Sequence, residues 1–163
     1  MADMMALPEQ APKFLALTPA TDAAGRSSSF FSLKNAAKAF ACFEIAQGNA
    51  ATIDLDVLQA SAVAGTGSKA IAGTCRIWSC VDSATDPRSV RQANAASFTT
   101  SAALGNKLVW IEIDCAVNLD IAGGFDCIAI RTGASNVANL TAGSISLVAP
   151  RYAQTAMINP RAD

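Results

Sequence analysis

A chain of 163 residues is long enough for one domain of ordinary size, with or without an extended arm. Hydrophobic residues make up 52% of the chain and charged residues 15%, which excludes an intrinsically disordered protein. The formal net charge is −1, and the twelve Lys and Arg residues are scattered along the chain, which excludes a basic surface for nucleic acid. No apolar run is as long as the roughly 18 residues of a membrane span, and the first ten residues lack the pattern of a signal peptide, so we expect a protein made in the cytoplasm that does not bind membranes.

Residues 1–28 contain three prolines, and their apolar residues follow no consistent period. This pattern predicts an extended N-terminal arm, followed by a single β domain over residues 29–163 that ends in a short C-terminal tail. The larger apolar residues of the arm are Phe14, Leu15 and Leu17. We expect them to form a protein interface, with a neighbouring subunit as one candidate.

Two segments farther along the chain alternate strictly between apolar and polar side chains, as half-buried strands do. The expected inward-facing residues are Ile53, Leu55 and Val57 in the first segment, and Val109, Ile111, Ile113 and Cys115 in the second. Weaker runs of the same kind cover residues 30–34, 39–47, 69–81, 96–101, 125–132 and 144–153.

Turn-forming residues separate these eight runs, and no segment has the length and caps of an ordinary amphipathic helix. The residues at 35–40 have helical propensity, but for only about one turn and a half. The sequence therefore predicts an all-β fold, a β-sandwich or a jelly-roll-like module of about eight strands with an extended N-terminal arm.

The five cysteines are odd in number and form no C-x-x-C pair, which argues against a disulfide framework or a metal site. They are Cys42, Cys75, Cys80, Cys115 and Cys127. We expect all five to be small buried thiols.

The sequence contains no histidine, which removes the commonest general base and the commonest metal ligand. No lysine stands three residues after a serine, so the S-x-x-K spacing of a serine nucleophile is also absent. We therefore predict a protein that is not an enzyme and that has no cofactor, metal or small-molecule substrate.

Two pairs of carboxylates, Asp54 with Asp56 and Glu112 with Asp114, are the nearest approach to a catalytic or calcium-binding group. Each pair alternates with predicted core residues, which favours a solvated strand face or a subunit contact. The segment GTGSKA at 65–70 is similar to a phosphate-binding loop, but a predicted strand follows it where such a loop needs a helix, so we expect a loop between strands.

Trp110 shares the predicted outward face of its strand with Glu112 and Asp114. An outward tryptophan is typical of a protein interface, and stacking on a sugar is a second interpretation. Burial beneath the N-terminal arm is a third.

Four motifs occur in order along the chain: an SLKN opening at 32–35, the loop VAGTGSKA at 63–70, the strand GFDCI at 124–128 and the ending LVAPRYAQ at 147–154. Together they resemble the motifs of a family of small structural proteins from tailed bacteriophages. The resemblance covers residues 28–160. It implies a decoration or cement protein on the outside of the phage head, which assembles as a trimer, binds the major capsid protein and has no catalytic residue to carry over.

Two alternatives remain open at this point. In the first alternative, the chain is a tail-tube or head-tail joining subunit. In the second it is a glycan-binding module on the virion surface, with Trp110 stacked on the sugar.

Overall fold

The computed structural model describes residues 7–150 and 159–162, and most of these residues belong to two antiparallel β-sheets that pack face to face. The strands are β1 (Lys13–Thr21), β2 (Arg26–Ser27), β3 (Phe31–Ser32), β4 (Ala36–Gln47), β5 (Asp54–Ala60), β6 (Lys69–Ala70), β7 (Arg76–Cys80), β8 (Val90–Arg91), β9 (Ser97–Thr99), β10 (Gly105–Asp114), β11 (Cys127–Thr132) and β12 (Asn139–Pro150). The described residues also form two four-residue helices, α1 (Leu7–Gln10) before β1 and α2 (Cys115–Asn118) after β10, and one 3-10 helix (Ile121–Gly123). The predicted all-β sandwich is confirmed.

The first sheet has the strand order β1-β12-β4-β10-β7-β8. The second sheet has the order β2-β11-β5-β6, with β3 also paired to β11 and β9 to β5. Every paired strand is antiparallel to its neighbour. Strands from the two halves of the chain are therefore neighbours in both sheets, as β4 with β12 and β5 with β11.

Each of the eight predicted runs contains a strand, and within the described residues eight strands are three or more residues long. The run at 69–81 divides into β6 and β7, because residues 71–75 carry the chain from the second sheet to the first. Residues 36–40, despite their helical propensity, belong to β4, and the four-residue helix α2 was not predicted. The loop expected at 65–68 is present, and β6 follows it without a helix.

The core lies between the sheets and is built by period-two alternation. Ile53, Leu55 and Val57 are at most 1% exposed, as are Val109, Ile111 and Ile113, so both strongest strand predictions are confirmed. Strand β4 adds Ala39, Ala41, Phe43 and Ile45, and β11 and β12 add Ile128, Ile130, Ile145 and Leu147. All five cysteines are buried and none forms a disulfide, as predicted.

The segment predicted as a separate N-terminal arm is corrected by the structure. Lys13–Thr21 is the edge strand β1 of the first sheet, paired with β12 of the same chain, and Arg26–Ser27 pairs with β11 in the second sheet. The register of β1 shifts between Leu15 and Leu17 and again between Leu17 and Ala20. These irregularities break the period of two, so the sequence pattern of a strand was not recognisable there. Residues 1–6 of the predicted arm lie outside the described residues.

The C-terminal residues 159–162 return to the second sheet. The backbone N–H of Ser32 on β3 donates to the carbonyl of Pro160 at 2.7 Å, and the guanidinium carbon of Arg161 lies 5.1 Å from the centre of the Phe31 ring. In the two described ranges, no helix is long and apolar enough to span a bilayer.

Candidate functional site

The outward side of the first sheet, here called the outer face, carries the most distinctive surface of the described residues. Trp110 on β10 pairs across the strands with Trp78 on β7 and with Cys42 on β4. The same row continues through Ser144 on β12 to Leu15 on β1, which is 58% exposed. One line across five strands thus runs from two half-buried tryptophans, over small side chains, to an exposed leucine.

Three aromatic rings, Phe40, Trp78 and Trp110, form what we call the aromatic patch. The Phe40 and Trp110 rings meet edge to face, with centroids 6.4 Å apart and planes at 78°. The patch, with Ser89 and Glu112, lines a shallow depression of about 450 Å³. Such an edge-to-face pair is a favourable aromatic geometry and holds the two rings in fixed positions. The sheet therefore presents a largely apolar depression outward at this patch.

Cations border this patch. The guanidinium carbon of Arg91 lies 5.0 Å from the centre of the Trp78 ring, and Arg91 also donates a hydrogen bond to the carbonyl of Ile77 at 3.2 Å. The Arg91 guanidinium thus covers part of the Trp78 ring, and both tryptophans are half-buried.

Glu112, at the rim of the patch, does not lie on a solvated strand face, which was one of the two interpretations of its carboxylate pair. It is only 8% exposed, because Lys38 Nζ lies 2.8 Å and Arg76 Nη1 3.6 Å from its Oε1. The hydrogen bond to Glu112 and the charge of Glu112 raise the pKa of Lys38. Asp114, 3.7 Å from the same ammonium, completes a cluster of two acids and two bases. Both carboxylates of this predicted pair therefore form ion pairs with cationic side chains of the same sheet.

The other predicted carboxylate pair lies on the second sheet and cannot meet the first. Asp54 accepts a hydrogen bond of 2.6 Å from Thr99, and Asp56 accepts two from Arg131, at 3.0 and 2.7 Å. In the described part of the chain, no group of three or more Cys, Asp or Glu side chains is arranged to hold a metal ion.

The structure separates the four residues predicted to form an interface. Leu15 and Trp110 both lie on the outer face, and their role in an interface stays a prediction. Phe14 and Leu17 point the other way, and the prediction is wrong for them. Leu17 is 5% exposed in the core, and the Phe14 ring lies 6.2 Å from that of Phe31. Phe14 and Leu15 are adjacent in the strand and therefore point to opposite faces. The register shift between Leu15 and Leu17 then places Leu17 on the core side as well.

Sequence reasoning missed Phe40 and Lys107. Phe40 lies among apolar residues on both faces of β4, so alternation alone could not assign its side. A signal for Lys107 was available, because it has the same parity as Val109 and Ile111 and so had to point into the sandwich.

No protein-family model and no curated protein sequence matches this chain. Among solved structures, it is similar to the crystal structure of the SPBc2 prophage-derived protein YomS. The two share 12% sequence identity with a TM-score of 0.48, over 85% of this chain and 93% of that chain.

Proposed function

We propose that this protein is a structural subunit of a tailed-phage particle that binds the outside of the head and stabilises the capsid, as a decoration or cement protein. Its partners are the major capsid protein and further copies of itself, assembled as a trimer. The observation that carries the proposal is the aromatic patch on the outer face, supported by the motifs that resemble phage structural proteins. The proposed binding region combines Phe40, Trp78 and Trp110 with the exposed Leu15.

The chemistry of the outer face suits a protein partner. Tryptophan is among the residues that contribute most to binding free energy in protein interfaces, especially where smaller contacts exclude water around it. Leu140, which is 46% exposed, lies on the same face beside a second depression of about 490 Å³. The apolar surface thus extends from the patch toward the opposite end of the sheet.

The sheet edges favour contact through a face rather than through strand addition. Strand β1 contains Pro19, which lacks a backbone N–H, and two register shifts, and both features hinder pairing with another chain. Strand β8, at the other edge, has only two residues. A partner would therefore gain more from the outer face than from either edge of the first sheet.

The proposed action is mechanical. A protein that binds the expanded shell and not its precursor adds its binding free energy to the expanded state. Micromolar binding corresponds to about 8 kcal/mol per site, and the effect is repeated at every occupied site of the shell.

Sedimentation with phage heads that lack the decoration protein tests this proposal. We expect saturable co-sedimentation, an increase in the temperature at which the heads rupture, and knobs distributed over the shell in negative-stain images. Trp110→Ala should weaken binding by at least about tenfold, since an interface tryptophan commonly contributes more than 1.4 kcal/mol. Val137→Ala, at a side chain 69% exposed in the turn before β12, is the control and should bind normally.

Absence of binding to heads would contradict the proposal, and rings or tubes in the images would favour the tail-tube or head-tail alternative. The aromatic depression also gives a specific reason to consider glycan binding, because sugars stack on exposed indole rings. Binding on a glycan array that disappears in Trp110→Ala would favour that second function.

A further inference from the structure

Lys107 lies inside the sandwich although it carries a charge. It is 5% exposed, and its ammonium donates to the Ser101 carbonyl at 2.6 Å and to Ser101 Oγ at 3.0 Å. The same carbonyl accepts a hydrogen bond of 2.9 Å from Gln47 Nε2. Two of the three ammonium protons are therefore used, and the shared contacts with Ser101 fix the position of the nitrogen.

No carboxylate forms an ion pair with Lys107 in residues 7–150 and 159–162. The other described lysines contrast with it, since Lys13, Lys34, Lys38 and Lys69 each have an acidic partner within 4 Å. A buried ammonium without an opposite charge is unfavourable, and its burial lowers the pKa of Lys107. Two neutral oxygens compensate this charge only in part.

A cleft of about 280 Å³ opens beside Lys107, between β7 and β10 of the first sheet and the segment around β9 of the second. Lys107 is the one charged residue among those that line it. Phe98 and Val109 contribute apolar walls, and Thr99, Thr100 and Ser101 contribute polar groups. The cleft thus combines one buried cation with both apolar walls and neutral polar groups, in a volume that suits a small ligand.

We propose that this cleft binds a short-chain carboxylate, whose anionic group pairs with the Lys107 ammonium and whose hydrocarbon part contacts Phe98 and Val109. One buried cation matches one negative charge, which favours a monoanion over a phosphate. The apolar walls favour a ligand with a short hydrocarbon part. The site is separate from the outer face and does not depend on the function proposed for that face.

Titration with sodium butyrate, followed by amide shifts in ¹H–¹⁵N spectra of the whole protein, tests the inference. We expect saturable shifts centred on Thr100, Ser101 and Lys107, with a Kd at or below about 1 mM. Intermolecular NOEs from the butyrate methyl group should reach Phe98 and Val109. Butyramide, a neutral molecule of the same shape, should produce no saturable shift, and sodium chloride at equal ionic strength is the blank.

Lys107→Met should lower the affinity for butyrate at least tenfold, while Lys13→Met makes the same change in charge at an exposed position and should leave it unchanged. If Lys107→Met does not fold, the comparison of butyrate with butyramide on the unmodified protein still decides the question. Equal shifts from both compounds, or shifts that butyrate spreads over the whole surface without saturation, would overturn the inference.

Discussion

Asp22 and Arg26 form an ion pair across the turn that carries the chain from one sheet to the other. The carboxylate of Asp22, which follows β1, lies 3.3 Å from the guanidinium of Arg26, at the start of β2. Asp22 is completely buried and also accepts hydrogen bonds from Thr132 on β11, at 2.8 Å, and from Thr141 on β12. Two side chains thus join strands of both sheets at one end of the sandwich.

Asp22→Asn should destabilise the fold by about 2–4 kcal/mol, because it leaves Arg26 without its carboxylate and disrupts two buried hydroxyl contacts. Urea denaturation measures the change. Glu44→Gln, in an ion pair whose glutamate is 60% exposed, is the control and should alter stability by less than about 0.5 kcal/mol. Similar small losses for both variants would show that the Asp22 network adds little to stability.

Truncation of Leu17 should lower the stability of the protein much more than truncation of Leu15, although both leucines belong to β1. Leu17→Ala removes a side chain from the core and should lower the free energy of unfolding by about 2–4 kcal/mol. Leu15→Ala, on the outer face, should change it by less than about 0.5 kcal/mol. Thermal and urea unfolding of the two variants test the strand assignment, and equal effects would contradict it.

How far the sequence predicts this structure depends on the regularity of each strand. The strands β5 and β10 were predictable because alternation is unbroken in both, and only one register buries Leu55 or Ile111. Strand β1 was not predictable in this way, because its bulges place Leu15 and Leu17 on opposite sides of the sheet and interrupt the alternation of apolar and polar residues. The outward position of Trp110 was predictable because its strand β10 is regular, whereas its role in an interface stays a prediction.

The charged residues were harder to predict, because their partners come from distant parts of the chain. The alternation within β10 alone predicts that Glu112 is exposed to solvent. Only the pairing of β10 with β4 and β7 brings Lys38 and Arg76 next to it. The sequence around Asp22 does not indicate that this residue is buried and hydrogen-bonded, since its partners Thr132 and Thr141 are more than a hundred residues away.

Gly143 on β12 occupies a place where the two sheets approach closely. A methyl group added there would lie 2.5 Å from Ile130 Cδ1 and 3.4 Å from Leu17 Cβ, so Gly143→Ala should destabilise the protein by about 1–3 kcal/mol. Ile130→Val removes the clashing carbon, so the double variant should lose less stability than the two single changes added together. A double-mutant cycle from urea unfolding measures this coupling, and simple additivity would contradict the proposed clash.

Buried thiols should make the protein less stable in alkaline solution. Desolvation raises the pKa of Cys75 from 9.0 to about 12 and that of Cys42 to about 11. Below pH 9 both the native and the unfolded chain keep these protons, so the thiols have no effect there. Above pH 9 the unfolded chain releases them and the native chain does not, so the free energy of unfolding should fall by about 1 kcal/mol per thiol at pH 10.

Urea unfolding of the protein and of Cys75→Ala, at intervals from pH 7 to pH 10, tests this effect. The stability difference between the two should stay constant up to about pH 9 and then shrink by about 1 kcal/mol at pH 10, because only the unmodified chain has the Cys75 thiol to ionise. The comparison cancels the contributions of Lys107, whose lowered pKa acts in the opposite direction, and of Lys38, because both proteins contain both lysines. A difference that remains constant through pH 10 would mean that Cys75 ionises equally in both states. That result would contradict the effect of core burial on the pKa of this thiol.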